Sequence, residues 1–275
     1  PNALTELGNS AFYGCDQLKK VTIGTSLTSL NTNAFEDCPK LKTVRVSKGN
    51  HVLYAKDNML INKQKKSVIW IAPAKKKVVI PNGTKAIGDY CFYDSKAESL
   101  VIPKSVKKIG KKALEASNLE KIRLKKGNKV YAKDGSCIYK KKTKELVVVT
   151  ASKGGQVVKI SPKVKKITRD AMTAGDNFIV NDGSSLDYIV IPTSTTLCDS
   201  WYQFYRGSSC DIVFLGKKLP KYLSGAQYIF PIFCTYYVPK GMVKKYKNWI
   251  KKTAPDYIDF IKVKTCTKKV KKAIK

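Results

Sequence analysis

Histidine occurs once in the 275 residues, at His51, and none of the eight cysteines forms a Cys-x-x-Cys pair. A zinc site needs several such ligands at close spacing, so neither a metal ion nor a metal cofactor is expected. His51 stands between Asn50 and Val52 with no nucleophile motif around it, so no catalytic residue and no enzyme activity are expected. No apolar run reaches the roughly 18 residues that span a bilayer. The longest, Tyr228 to Val238, is broken by Pro231. A basic, apolar leader is absent at the start of the sequence, so export cannot be read directly from it. Arginine is scarce, with only Arg45, Arg123, Arg169 and Arg206 among 53 basic residues. Base-edge readout favours the forked guanidinium, so no specific DNA site is expected.

What is present is lysine and apolar residues. The formal charge is +33 and the composition is 43% hydrophobic, enough apolar surface to build a folded core despite that charge. Lysine is a hydrated point charge, suited to loose, salt-sensitive attraction of a diffuse polyanion. The same lysines would also solvate the surface of a repeat protein, and composition leaves both readings open.

The sequence repeats. Leu7-Gly8-Asn9-Ser10-Ala11-Phe12 through Leu18 returns, each position displaced by 23, as Leu30-Asn31-Thr32-Asn33-Ala34-Phe35 through Leu41. Val21 and Ile23 recur as Val44 and Val46, with polar Thr22 and Arg45 between them, the alternation of a strand with one buried face. Ile87, Phe92, Leu100 and Ile102 recur at a displacement of 22 as Ile109, Leu114, Ile122 and Leu124. A fifth copy follows from Ile160 to Met172 and rejoins the strand pattern at Ile189-Val190-Ile191-Pro192. Two related inserts interrupt the series, Gly49-Asn50 through Ile71 and Gly127-Asn128 through Val149, each reading as a β-hairpin, so a larger repeat of about 78 residues is present.

A single coil of this length cannot bury its own apolar edge, so neighbouring coils must cover one another. Phe12, Phe35, Phe92, Leu114 and Met172 are expected in one internal column, and Val21, Val44, Leu100, Ile122 and Ile189 in another, wherever an insert does not intervene. The Ile-Pro pairs at 80–81, 102–103 and 191–192 mark strand exits, since proline donates no ladder hydrogen bond.

These residues resemble BspA-type leucine-rich repeats. The best single match is Ile102-Pro103-Lys104-Ser105-Val106-Lys107-Lys108-Ile109-Gly110-Lys111-Lys112-Ala113-Leu114, and Phe35 with Cys38 supplies a further hallmark. Tyr237-Val238-Pro239-Lys240-Gly241 with Tyr246 and Trp249 resembles the family's closing strand and helix. The resemblance implies a leucine-rich repeat right-handed solenoid, mainly β with short helical turns, two inserted β-hairpins and a C-terminal strand-helix cap. Residues 1–192 would form the solenoid with inserts near 49–72 and 127–150. Residues 193–263 would be divergent repeats and cap of that solenoid, and 264–275 a lysine-rich tail or linker. It also implies a non-catalytic binding or adhesion module, secreted or on a bacterial surface, with a host or bacterial surface protein or an anionic glycan as partner; a monomer is expected. The alternative is a structural spacer bound to wall polyanions of its own cell.

Candidate ligand residues come from the repeat register. The outward strand rows, Thr22, Arg45, Val101, Arg123, Val190 and Lys20, Thr43, Ser99, Lys121, Tyr188, are mixed. On the opposite side Lys85, Lys107 and Lys165 share a row, Lys108 and Lys166 the next, with Lys111, Lys112 and Arg169 close by. Lys140, Lys141, Lys142 and Lys144 crowd the second hairpin tip. Together they are the expected attractor for sulfated, sialylated or phosphate-bearing polymers, against the plainer reading of a solvated face. Cys15 and Cys38 share a repeat position and are read as buried free thiols, whereas Cys198 and Cys210 are the better disulfide candidates. Trp201, Tyr202, Tyr205, Tyr222, Tyr228, Tyr236 and Tyr237 are read as core of the cap ahead of a sugar-stacking surface. Asn82-Gly83-Thr84 fits a glycosylation acceptor but is more simply a turn.

Overall fold

The computed structural model describes residues 3–114, 119–150, 157–167, 172–173, 187–195, 197–198, 211–219, 221–222, 234–253 and 259–275, the three two-residue pieces by backbone alone. The chain falls into two compact units, residues 1–131 with 174–176 and residues 132–173 with 177–275. The division lies inside the second insert.

The first unit carries β1 (Glu6–Leu7), β2 (Lys20–Ile23), β3 (Ser29–Leu30), β4 (Thr43–Val46), β5 (Leu53–Lys56) and β6 (Met59–Asn62). It continues with β7 (Ser67–Ile71), β8 (Lys77–Val79), β9 (Ala86–Ile87), β10 (Ser99–Ile102), β11 (Lys108–Ile109) and β12 (Lys121–Leu124). Strands of three or four residues pair in parallel at the repeat register, with Val21 beside Val44 and Leu100 between Val78 and Ile122. Two-residue strands form a minor parallel ladder, with Leu7 beside Leu30 and Ile87 beside Ile109. Between the two ladders the chain reverses in single turns, and these also bond from coil to coil, Phe12 N to Ala34 O at 2.8 Å and Phe92 N to Ala113 O at 2.9 Å. The repeat is therefore hydrogen-bonded from coil to coil at both ladders and at turns between them, which is how strands of only two to four residues persist.

The first insert is an antiparallel meander of three strands, β5, β6 and β7. Asp57 and Asn58 both take positive φ, 50° and 58°, which makes the tight two-residue turn between Lys56 and Met59. Its third strand then enters the minor ladder, pairing in parallel with β9 so that Val68 sits beside Ile87. The insert thus takes the place of a coil. Its Trp70 continues the aromatic column, 5.2 Å from Phe35, which in turn stacks on Phe12 at 5.3 Å. Phe35, Phe92 and Leu114 are fully buried, whereas Phe12 is 39% exposed; the Met172 side chain lies outside the described residues. Burial of each such side chain contributes about 1.5–3 kcal/mol. At Gly110 the glycine of the repeat has a steric cause, since a β-carbon there would lie 2.6 Å from Asp89 N, whereas Gly8 at the same position of the first coil has open space around it.

The second unit carries β13 (Tyr131–Asp134, its first residue belonging to the first unit), β14 (Cys137–Lys140), β15 (Leu146–Val149), β16 (Val157–Lys159), β17 (Lys166–Ile167) and β18 (Met172–Thr173). There follow β19 (Tyr188–Ile191), β20 (Leu197–Cys198), β21 (Asp211–Phe214), β22 (Lys221–Tyr222), β23 (Thr235–Val238), helix α1 (Val243–Thr253), β24 (Lys262–Thr265) and helix α2 (Lys268–Ala273). The second insert repeats the device of the first, since β15 pairs antiparallel with β14 and then parallel with β18. The five-stranded sheet β16-β19-β21-β23-β24 is parallel throughout and aligns Val158, Ile189, Ile212, Tyr236 and Val263. Helix α1 buries Tyr246 and Ile250, four residues apart on one face, and Tyr246 donates its hydroxyl to Gly216 O at 2.7 Å.

The segment 264–275 is not a solvated tail. Strand β24 closes the sheet, and α2, capped by Thr267, packs Val270 onto Val190 and Val213. Its lysines reach solvent around one buried valine, a pattern in which charge density conceals a short apolar face. Val190, placed in the exposed row by the repeat register, is consequently buried.

Candidate functional site

The lysine rows follow from the minor ladder. Lys107 N and Lys108 N donate to Lys85 O at 2.7 and 3.2 Å, so Lys85 and Lys107 lie one coil apart. Lys85 N donates to Lys66 O at 2.7 Å, which puts Lys66 of the first insert one step further along the same row. Successive strands of a sheet are about 4.8 Å apart, so three ammonium stems rise from neighbouring backbones. Lys66, Lys85, Lys107, Lys108 and Lys111 are exposed. Among the described residues no carboxylate pairs with Lys66, Lys85, Lys107 or Lys108. Lys112 is half-buried, its ammonium 6.0 Å from the centre of the Tyr90 ring.

Within the second unit Lys165 N and Lys166 N donate to Lys144 O at 2.8 and 3.2 Å. Lys144 therefore belongs to the row of Lys165, with its ammonium 5.7 Å from the centre of the Tyr139 ring. Lys140 pairs with Glu145 at 3.2 Å, and Lys141 and Lys142 are exposed at the same turn. Arg169 lies outside the described residues. Coil periodicity misses Lys66, because an insert that reads as a hairpin falls outside the coil register. The signal lies in the larger repeat: Lys66 precedes Val68-Ile69-Trp70-Ile71 at the same spacing as Lys144 precedes Leu146-Val147-Val148-Val149.

Several other candidates have ordinary surroundings. Cys15, Cys38, Cys91, Cys137, Cys234 and Cys266 are free thiols, while Cys210 and the Cys198 side chain lie outside the described residues. Burial pushes the Cys91 thiol far up and the Cys137 thiol up to about 11. Tyr236 is fully buried against Phe214, and Tyr237 meets Tyr188 edge-on at 6.3 Å, whereas Trp201, Tyr202, Tyr205, Tyr228 and the Tyr222 side chain lie outside the described residues. Asn82 and Gly83 form an exposed turn, with Gly83 at φ +88°. His51 is exposed, and among the described residues no three His, Cys, Asp or Glu side chains gather as metal ligands would.

The register of parallel two- and four-residue strands, the buried Phe position and the Ile-Gly contact agree with a family model of the BspA type leucine rich repeat region, which matches residues 1–74 and 72–148 in six copies. The chain belongs to the BspA-type leucine-rich repeat family. No curated protein matches it. Among solved structures it is similar to a leucine rich cell surface protein of Faecalibacterium prausnitzii, at 21% identity over 78% of this chain and 52% of that one, with a TM-score of 0.47. The pneumococcal vaccine antigen PcpA is similar at 19% identity over 90% of this chain and 56% of that one, TM-score 0.46. A leucine-rich repeat protein of Eubacterium ventriosum matches at 21% identity over 87% and 65%, TM-score 0.41. This BspA-type chain thus spans about half to two thirds of the length of the proteins it resembles.

Proposed function

We propose that this chain is a non-catalytic repeat module of a bacterial surface or secreted protein, and that it binds anionic polymers through its stacked lysine rows. The observation that carries the reading is the row Lys66, Lys85, Lys107: one cation per coil, with no carboxylate pairing with any of them among the described residues. A solvating surface is served equally well by interspersed charges of both signs. Like charges about 5 Å apart in water repel by about 1 kcal/mol per pair, a cost that a bound polyanion removes while releasing its own counterions. Lys108 and Lys111 widen the row in the first unit. Lys144, Lys165 and Lys166, with Lys140, Lys141 and Lys142, repeat the arrangement in the second. Membership of the BspA-type family supports a bacterial surface location, and no helix among the described residues is long and apolar enough to cross a membrane.

The test is heparin-column retention of the variant Lys66→Gln/Lys85→Gln/Lys107→Gln/Lys108→Gln beside one of equal charge, Lys240→Gln/Lys244→Gln/Lys245→Gln/Lys251→Gln. Earlier elution of the first variant only is expected. Equal shifts for the two would mean that net charge alone retains the protein, and would overturn the reading. Pull-downs on host-type sulfated glycans and on purified wall polymer then separate an adhesion module from a spacer held on its own cell wall.

A further inference from the structure

A groove of about 420 Å³ opens in the first unit between β4 and β5, within the range of about 300–1,000 Å³ usual for small-molecule sites. It exists because the chain turns sharply at Gly49, φ +91°, and because buried Asn50 fastens that turn to the preceding coil. Arg45, Lys48 and Lys63 line it, and none of its lining residues is acidic. Leu53 and Ala55 supply an apolar floor, and Tyr54, 37% exposed, stands at its side. Lys63 donates to Asn50 O, which holds that ammonium at the rim with donors to spare. Arg45 has no ion-pair partner among the described residues.

Arginine is the informative residue here. Only four of 53 basic residues are arginine, so lysine is this chain's ordinary way of carrying surface charge. Two of the four, Arg45 and Arg123, occupy the same position of the larger repeat, since each is followed at the third to fifth residue by Lys-Gly-Asn. A guanidinium differs from an ammonium in offering a planar fork that grips a carboxylate with two parallel hydrogen bonds. Tyr54, which lines the same groove and is partly exposed, offers a flat apolar face for a pyranose. Asn50 Oδ1 accepts from Leu53 N and Asn128 Oδ1 from Tyr131 N, so Tyr54 of the first insert corresponds to Ala132 of the second. The stacking element therefore belongs to the first insert alone.

We infer that the groove at Arg45 is a binding site for a sugar residue bearing a carboxylate, gripped by the Arg45 fork and seated against Tyr54. The site shares an anionic-glycan ligand with the lysine-row reading but does not use those rows. The experiment is calorimetric titration of the full chain with a hyaluronan hexasaccharide, which carries carboxylates and no sulfate, and with its carboxyl-reduced, neutral form. The unreduced probe alone should bind. Arg45→Gln should weaken binding by about tenfold or more, Tyr54→Ala by a similar factor, and Arg45→Lys, which keeps the charge but loses the fork, by several-fold. The variant Lys66→Gln/Lys85→Gln/Lys107→Gln should bind as the native chain does. Equal binding of the reduced probe, or undiminished binding by Arg45→Gln, overturns the proposal. Loss in the triple-lysine variant together with normal binding by Arg45→Gln also overturns it and leaves the lysine-row reading standing.

Discussion

Replacing Asn50 by alanine tests how an insert is joined to the coil before it. Asn50 is 2% exposed and uses its whole side chain: Nδ2 donates to Gly24 O and Leu27 O, both at 2.9 Å, and Oδ1 accepts from Val52 N at 3.0 Å and Leu53 N at 2.7 Å. Each bond is worth about 0.5–1.5 kcal/mol net, and more where a released group stays dry. Four bonds, offset by water reaching the half-buried backbone at Val52, come to about 3 kcal/mol. At about 1.4 kcal/mol per decade this is roughly a hundredfold in local opening. A repeat array does not unfold in one step, so a single melting temperature is the wrong observable. Amide hydrogen exchange is the right one. Val52 and Leu53 should lose about a hundredfold of protection in Asn50→Ala, while β10 and β12 keep theirs. Asn128 makes the equivalent set with Pro103 O, Val106 O, Val130 N and Tyr131 N, so Asn128→Ala should do the same at Val130 and Tyr131. Unchanged protection at Leu53, or a loss spread evenly over β10 and β12, would refute the idea of a local staple.

Further outcomes are expected elsewhere. Because burial raises the Cys137 thiol to about 11, it stays protonated at pH 8, and native-state alkylation read by mass spectrometry should label half-buried Cys15 well before Cys91 or Cys137. Hydrogen bonds from Ser161 and Lys163 hold the Asp134 carboxyl below its ordinary 3.8. Its stabilising contribution is therefore present above 3.8 and lost as pH falls through the lowered value, so Asp134→Asn should flatten the acid limb of a stability-versus-pH curve. Tyr246→Phe leaves Gly216 O without its donor and should cost about 1–3 kcal/mol, seen as weakened exchange protection around β21 and α1. Val270→Asp should strip α2 from the sheet and expose Val190 and Val213 to solvent, checked by faster proteolysis after Thr265.

The coils are legible in the sequence because their constraint is translational. A residue that must stack on its own copy repeats at the coil period, so the pairing of Val21 with Val44 and of Leu100 with Ile122 follows from sequence alone. The Ile-Pro exits are legible because proline cannot donate; β10 ends at Ile102 and β19 at Ile191. The lysine row is half legible. Lys85 and Lys107 share a coil position, but Lys66 reaches the row through the start of a strand that is antiparallel on one edge and parallel on the other. The coil period carries no information about such a join. The groove is less legible still, because Arg45 and Tyr54 belong to different elements and come to line one groove only through the turn at Gly49 and Asn50.

The end of the chain shows why charge is the weaker guide. Lys268-Lys269-Val270-Lys271-Lys272 has four cations around one apolar residue, and counting charges sends such a segment to water. What decides its place is the surface it finds. The sheet face at Val190, Val213 and Tyr237 is apolar, unlike the face at Thr22 and Arg45 in the first unit, and Val263 extends the sheet to within reach of a following helix. One valine, a threonine cap and Ile274 then suffice to dock α2, because long lysine stems tolerate a buried neighbour while their ammonium groups stay wet. The two outer sheet faces differ in use for the same reason. In the second unit that face is covered by the chain's own helix, whereas in the first the outward residues Arg45 and Val79, on β4 and β8, remain exposed.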